Sequence, residues 1–254
     1  MCFDHDSSPP VTPISGASVD TRSLSLAAAD GNEFAAFEAR GAGDGGASIL
    51  VLPDVRGLYR FYEEMAVRFA ERGYDALAID YFGRTAGIGT RDDEFDYMPH
   101  VRQTTFEGVK ADVAAGVAHL RSLGDNPVFT VGFCFGGSNS WHQAANGLGL
   151  AGAIGFYGHP DRVFPDGATP LVQRVNAMEC PILGLMGGDD PGIPVEEVEK
   201  FRKALTEARV EHELIVYEGA PHSFFDRKAA EFSEASEDAW RRVLEFVEKH
   251  KQRS

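Results

Sequence analysis

Short apolar or alternating runs of strand length recur along the chain and predict β-strands. They lie at residues 23–28, 33–38, 47–53, 75–79, 128–133, 151–157, 181–186 and 212–217. Longer segments with apolar positions three and four residues apart predict helices at residues 59–72, 106–123 and 195–208, with a final helix near 229–250. Strand and helix therefore alternate from residue 47 onward.

This alternation predicts an α/β protein. The strand at Ile49 to Leu52 is apolar on both faces, which is typical of a parallel sheet covered by helices on both sides. The first two runs instead follow each other across Asp30-Gly31-Asn32, a hairpin signal. We therefore expect a mostly parallel central sheet with an antiparallel N-terminal edge. No repeat or composition shift divides residues 21–254, so we expect one domain, preceded by a loosely ordered tail at residues 1–20.

Composition narrows the functional classes. The chain has 254 residues, of which 43% are hydrophobic, as in ordinary globular proteins. Its formal net charge of −15 repels polyphosphate and anionic lipid, so nucleic acid and membrane surfaces are not expected partners. No apolar run approaches the roughly 18 residues of a membrane span, and the N-terminus lacks a secretory pattern. We expect a cytoplasmic protein.

The cysteines indicate neither a disulfide framework nor a zinc site. There are three of them, Cys2, Cys134 and Cys180, without C-x-x-C spacing. The sequence also lacks a dinucleotide-binding fingerprint, so we expect no metal and no organic cofactor. Cys2 and Cys180 are expected to be inert, which leaves Cys134 as the cysteine of interest.

Cys134 lies in the segment GFCFGG at residues 132–137, between a predicted strand and a predicted helix. This is the G-x-nucleophile-x-G form of a nucleophile elbow, in which a sharp turn needs neighbours without a Cβ. The N-terminus of the following helix would lower the pKa of the thiol and stabilise an oxyanion. Cys134 is therefore the candidate nucleophile.

A base and an acid follow in the order that an elbow fold requires. His222 lies in a loop directly after the last predicted strand, a position that the other histidines do not share. The segment GGDDPGIP at residues 187–194 offers two aspartates, Asp189 and Asp190, and either could orient the imidazole. Asp190 is favoured because it precedes Pro191 and leads into the turn.

The segments GFCFGG, GGDDPGIP and APHSFFD together resemble the dienelactone hydrolases (carboxymethylenebutenolidases) of the α/β-hydrolase superfamily, over about residues 20–250. In that family's acid motif a proline follows the aspartate by four residues, which Asp190 and Pro194 satisfy and Asp189 does not. The resemblance implies an α/β-hydrolase fold and hydrolysis of a small lactone or ester. It also implies a Cys134, His222 and Asp190 triad and a thioacyl-enzyme intermediate.

The resemblance carries further positions. It implies oxyanion donors at the N–H groups of Val55 and Phe135, and places Asp54 where the family has a thiol-modulating glutamate. Arg84 would bind a substrate carboxylate. The family's second carboxylate-binding arginine, four residues after the histidine, is replaced here by Asp226.

Two other functions use the same residues. A redox or electrophile sensor would need a low-pKa Cys134 without turnover. A non-catalytic binding protein could also use a hydrolase scaffold. A dienelactone, an aryl ester, a thioester or another small carbonyl compound would fit the constellation as substrate. A monomer is the default expectation for the fold, with a homodimer as the alternative.

Overall fold

A computed structural model describes residues 6–43, 45–161, 164 and 166–252. The strands are β1 (Val19–Ala27), β2 (Glu33–Gly41), β3 (Ser48–Leu52), β4 (Asp75–Ile79), β5 (Val128–Phe133), β6 (Gly152–Phe156), β7 (Ile182–Gly187) and β8 (His212–Tyr217). The α-helices are α1 (Arg60–Ala70), α2 (Gly83–Ala86), α3 (Met98–Val101), α4 (Phe106–Leu123), α5 (Phe135–Gln143), α6 (Val195–Glu207) and α7 (Ser233–His250). Two 3₁₀ turns, Leu171–Gln173 and Val175–Ala177, precede β7.

All eight strands form one sheet in the order β1-β2-β4-β3-β5-β6-β7-β8. The strands from β3 to β8 run parallel, whereas β2 pairs antiparallel with both β1 and β4. The predicted mostly parallel sheet with an antiparallel edge is confirmed. Because β3 to β8 are parallel, their C-terminal ends share one edge of the sheet, where ligands of such sheets bind.

Helices cover both faces of this sheet. On β6, a Cβ at Gly152 would lie 2.5 Å from the ring of Phe246 in α7, and a Cβ at Gly155 would lie 2.5 Å from the ring of Trp141 in α5. Positions three apart on a strand point to opposite faces, so α5 and α7 pack on opposite sides. Bulky rings therefore reach the strand backbone from both layers.

The structure and the predicted elements differ mainly at boundaries. β1 begins at Val19, four residues before the predicted run, because its pairing with β2 extends to Val19 opposite Gly41. The short helices α2 and α3 were not predicted, since four residues are too few to show a helical period. No helix in the described part of the chain has the length and apolarity needed to cross a bilayer.

The N-terminal segment contributes a residue to the core. Val11 is buried, with 6% of its surface exposed, and packs against the main hydrophobic core. Cys2 and the rest of residues 1–5 lie outside the described residues. The looseness of residues 1–20 stays a prediction.

Candidate active site

Cys134 occupies the turn between β5 and α5. Its backbone φ is 54°, in the left-handed region that residues with a Cβ seldom adopt. The turn is held by the Cys134 N–H, which donates to the Phe156 carbonyl at 3.0 Å, and by the Ser138 N–H, which donates to the Cys134 carbonyl at 3.2 Å. The sheet and the helix therefore fix the thiol at a strained strand-to-helix turn, the backbone geometry of a nucleophile elbow.

Two glycines make this turn possible. A Cβ at Gly132 would lie 1.9 Å from the carbonyl oxygen of Gly136, and a Cβ at Gly136 would lie 2.0 Å from the carbonyl oxygen of Leu52. Both distances are far shorter than a van der Waals contact, and the atoms concerned belong to backbone that cannot move aside. The G-x-C-x-G spacing therefore has a steric cause, namely close passage of backbone on both sides of Cys134.

His222 and Asp190 form a hydrogen-bonded pair in the loops that follow β8 and β7, two strands that neighbour each other in the sheet. His222 Nδ1 and Asp190 Oδ2 are 2.6 Å apart. The other carboxylate oxygen of Asp190 accepts from the Gly192 N–H at 2.8 Å, which fixes the carboxylate in the turn. The Asp190 side chain is only 2% exposed, whereas Asp189 is exposed. Of the two candidate aspartates, Asp190 is the one that contacts the imidazole.

Backbone hydrogen bonds join the loop that carries the acid to the loop that carries the histidine. The Gly188 N–H donates to the Tyr217 carbonyl at 2.8 Å, and the Asp189 N–H donates to the Ala220 carbonyl at 2.9 Å. These bonds continue the parallel pairing of β7 with β8 past the ends of the strands. The separation of Asp190 from His222 is therefore set by main chain on both sides.

Tyr157 packs against the ring of His222. It directly follows β6, with φ of 37°, and its ring centroid lies 4.9 Å from that of His222. Burial raises the pKa of Tyr157 well above its ordinary value, and the charges of Asp226, Asp54 and Cys134 raise it further. From the sequence, Tyr157 is one of several aromatic residues near strand ends that could line an acyl pocket or pack in the core, and it is not among the predicted site residues. Its position directly after β6, between β5 and β7 in the sheet, is the signal that sets it apart.

The loop after β3 carries the predicted oxyanion donor Val55. Asp54 shapes this loop, because its Oδ1 accepts from the Arg56 N–H at 2.8 Å. Asp80, after β4, accepts from the Leu58 N–H at 3.1 Å and so holds the far end of the loop. The predicted second donor, Phe135, is the first residue of α5, where the helix dipole favours negative charge.

The carboxylate of Asp54 is buried and engaged by Arg56. Arg56 Nε lies 3.1 Å from Oδ1 and 3.2 Å from Oδ2 of Asp54. Burial raises the pKa of Asp54, an effect that the charge of Arg56 opposes. Modulation of the Cys134 thiol by Asp54 stays a prediction.

Arg84 donates to groups in the β1–β2 turn and on helix α4. Its guanidinium pairs with Asp30 in the β1–β2 turn at 2.6 Å and with the buried Asp112 of α4 at 2.8 Å, and it donates to the Gly108 carbonyl at 3.2 Å. Substrate binding by Arg84 stays a prediction, and it would require release of these contacts.

Taken together, the strand ends from β5 to β8 present a thiol, a tyrosine, a carboxylate and an imidazole in that order. A thiol on a strained turn and an imidazole held by a buried carboxylate, at one edge of a sheet, are the groups that acyl transfer through a cysteine uses. Within the described part of the chain, no three His, Cys, Asp or Glu side chains cluster in a way that could hold a metal ion.

Comparisons with known proteins indicate the family of this chain. The profile of the "Dienelactone hydrolase family" matches residues 34–251. A protein of Escherichia coli (strain K12) named "Putative carboxymethylenebutenolidase" is 30% identical over 211 residues, which cover 80% of this chain and 76% of that protein. A protein of Salmonella typhimurium with the same name is 30% identical over 227 residues, covering 85% and 83%.

Solved structures agree as well. The crystal structure titled "Putative Dienelactone Hydrolase" from Klebsiella pneumoniae superposes with a TM-score of 0.79 at 26% identity, covering 90% of this chain and 98% of that one. A dienelactone hydrolase-like promiscuous phosphotriesterase from metagenomic libraries gives a TM-score of 0.76 at 20% identity, covering 92% and 99%. At 20% identity, the similarity to the phosphotriesterase shows a shared fold only.

Proposed function

Because the chain belongs to the dienelactone hydrolase family of the α/β-hydrolase superfamily and is thus a hydrolase of ester or lactone bonds, we propose that it cleaves a small ester or lactone through Cys134, His222 and Asp190. The observation that carries this proposal is the contact of His222 Nδ1 with the buried Asp190, at the same edge of the sheet as the strained Cys134 turn. The proposal assigns each residue a distinct task.

His222 acts as the base. Asp190 accepts a hydrogen bond from the Nδ1–H group, which leaves Nε2 to take the proton from the Cys134 thiol. The thiolate then attacks the carbonyl carbon of the ester. A tetrahedral intermediate forms, and its negative oxygen accepts from the N–H groups of Val55 and Phe135, each worth about 3 kcal/mol in comparable sites.

The intermediate collapses when the bond from the carbonyl carbon to the leaving oxygen breaks, and His222 returns its proton to that oxygen. A thioester on Cys134 remains. His222 then takes a proton from water, the hydroxide attacks the thioester carbonyl, and the acid leaves as the Cys134 sulfur is released and reprotonated. Nothing in this sequence needs a redox partner.

A panel of small aryl esters and lactones, combined with mass detection of acyl-enzyme, tests the proposal. We expect Cys134→Ala and His222→Ala each to lose at least about a thousandfold in kcat. Cys180→Ala is the matched control, since Cys180 is buried and burial raises the pKa of its thiol to about 12. An acyl group is expected on Cys134.

Full hydrolysis by Cys134→Ala would contradict the proposal. Rapid oxidation of Cys134 by hydrogen peroxide without turnover of any ester would instead favour the thiol sensor.

A further inference from the structure

Arg56 is a buried cation between two loops of the candidate site. Its side chain is 2% exposed, and it lies in the loop that carries Val55. Within that loop it donates from both its backbone N–H and its side-chain Nε to Asp54. Its guanidinium carbon lies 5.0 Å from the ring centroid of Tyr59 and 5.4 Å from that of Tyr62. The guanidinium therefore rests on aromatic faces, a favourable setting for arginine.

The same guanidinium reaches the histidine loop. Its Nη2 forms an ion pair with Asp226 Oδ2, across 170 residues of sequence. Asp226 lies four residues after His222, and its N–H donates to the Ser223 carbonyl at 3.0 Å. One side chain thus connects the loop of the oxyanion donor to the loop of the base.

The connection made by Arg56 neutralises two buried carboxylates. Asp54 and Asp226 are both buried, one on each loop, and Arg56 lies between them. Burial raises the pKa of Asp226 to about 6; Arg56 opposes that rise and Asp54 adds to it. Without Arg56 the two carboxylates would face each other in a low dielectric, where like charges repel strongly. The loops would then separate or one acid would take a proton.

We propose that Arg56 is a positioning residue, which fixes the oxyanion loop at residues 54–57 against the histidine loop at residues 220–226. This inference rests on the proposed function. The Val55 N–H and His222 act on the same acyl group, so their separation must match the transition state. A displacement of about 1 Å at such a site costs on the order of a hundredfold in rate.

The test compares Arg56→Met, Arg56→Lys and Asp226→Asn with the wild type on one aryl ester. For Arg56→Met we expect kcat to fall about ten- to a hundredfold with KM within twofold, because the oxyanion contact forms in the transition state. Arg56→Lys keeps the charge but loses the planar fork, and should recover part of kcat. Asp226→Asn should also lower kcat.

Arg72→Met is the matched control. Arg72 is partly buried, donates to the Arg68 carbonyl at 2.9 Å and lies over the Trp240 ring of α7 at 4.9 Å, so these contacts lie at the far end of α1 and on α7 rather than on the two loops. We expect this variant to lose stability and keep its kcat within about twofold. The double variant Arg56→Met with Asp226→Asn should be no slower than the slower single variant, because residues acting through one contact are not additive.

A folded Arg56→Met with wild-type kcat would overturn the inference, as would losses that add in the double variant. If Arg56→Met does not fold by circular dichroism, a wild-type kcat in both Arg56→Lys and Asp226→Asn overturns it. If the wild type shows no hydrolysis that depends on Cys134, the proposed function fails, and the inference falls with it.

Discussion

The two halves of the sheet hold their polar residues differently. At the ends of β5, β6, β7 and β8 the spatial order equals the chain order, and each strand end carries one residue of the candidate site. At the other end the order is β1-β2-β4-β3, and the charged side chains there are engaged in ion pairs, such as Arg84 with Asp112 and Arg91 with Asp80. Residues that follow successive strands are therefore brought to neighbouring positions where the spatial order of the strands equals their order in the chain. Around β1 to β4, the ion-pair partners come from segments that are distant in the sequence.

The largest expected effect concerns the β7 end. Asp190→Asn should lower kcat by roughly a thousand- to ten-thousandfold, because the imidazole loses the carboxylate that fixes its tautomer. Asp189→Asn is the control, since Asp189 is exposed and adjacent. Steady-state kinetics on one aryl ester measures both. Equal losses in the two variants would break the distinction between the aspartates.

The second expected effect, on stability, concerns the half of the sheet that contains β1 to β4. Arg84→Gln should lower the free energy of unfolding by about 2 kcal/mol, because the buried Asp112 loses its cation. Arg241→Gln, at an exposed pair on α7, should change it by less than about 0.5 kcal/mol. Urea denaturation compares the two. An Arg84→Gln protein of full stability that loses activity only on carboxylate-bearing esters would show that Arg84 binds substrate.

The smallest expected effect is the pH dependence of stability that His142 causes, in the helix α5 that follows Cys134. His142 is buried and accepts from Arg174 at 3.1 Å through Nδ1. Burial, with help from the charge of Arg174, lowers the pKa of His142 to about 3. The unfolded chain binds this proton below about pH 6.5 and the folded chain does not, so stability is complete above that pH and falls toward pH 3.

His142→Gln removes this titration while keeping an acceptor for Arg174. Between pH 7.5 and 5.5 the wild type should lose about 1.4 kcal/mol more unfolding free energy than the variant. Urea denaturation at the two pH values gives the difference. Parallel losses in both proteins would show that His142 already takes up its proton in the folded state.

The sequence predicted the structure best where a short local pattern is compatible with only one local conformation. The apolar runs predicted the eight strands, and GFCFGG predicted a turn whose glycines the structure shows to be sterically required. Long-range partners could not be predicted, because nothing near Arg56 in sequence points to Asp226. The same holds for the contact of Arg84 with Asp30, which depends on how the hairpin folds over α4.

The main-chain bonds between the acid and histidine loops bear on how such a protein can be altered. A peptide N–H and a carbonyl remain whatever side chain a residue carries, so Gly188 to Tyr217 and Asp189 to Ala220 stay joined through most substitutions nearby. The side chains of these two loops other than Asp190 and His222 can then be varied in a directed-evolution library. New acyl preferences can be sought there while the main chain keeps Asp190 and His222 aligned.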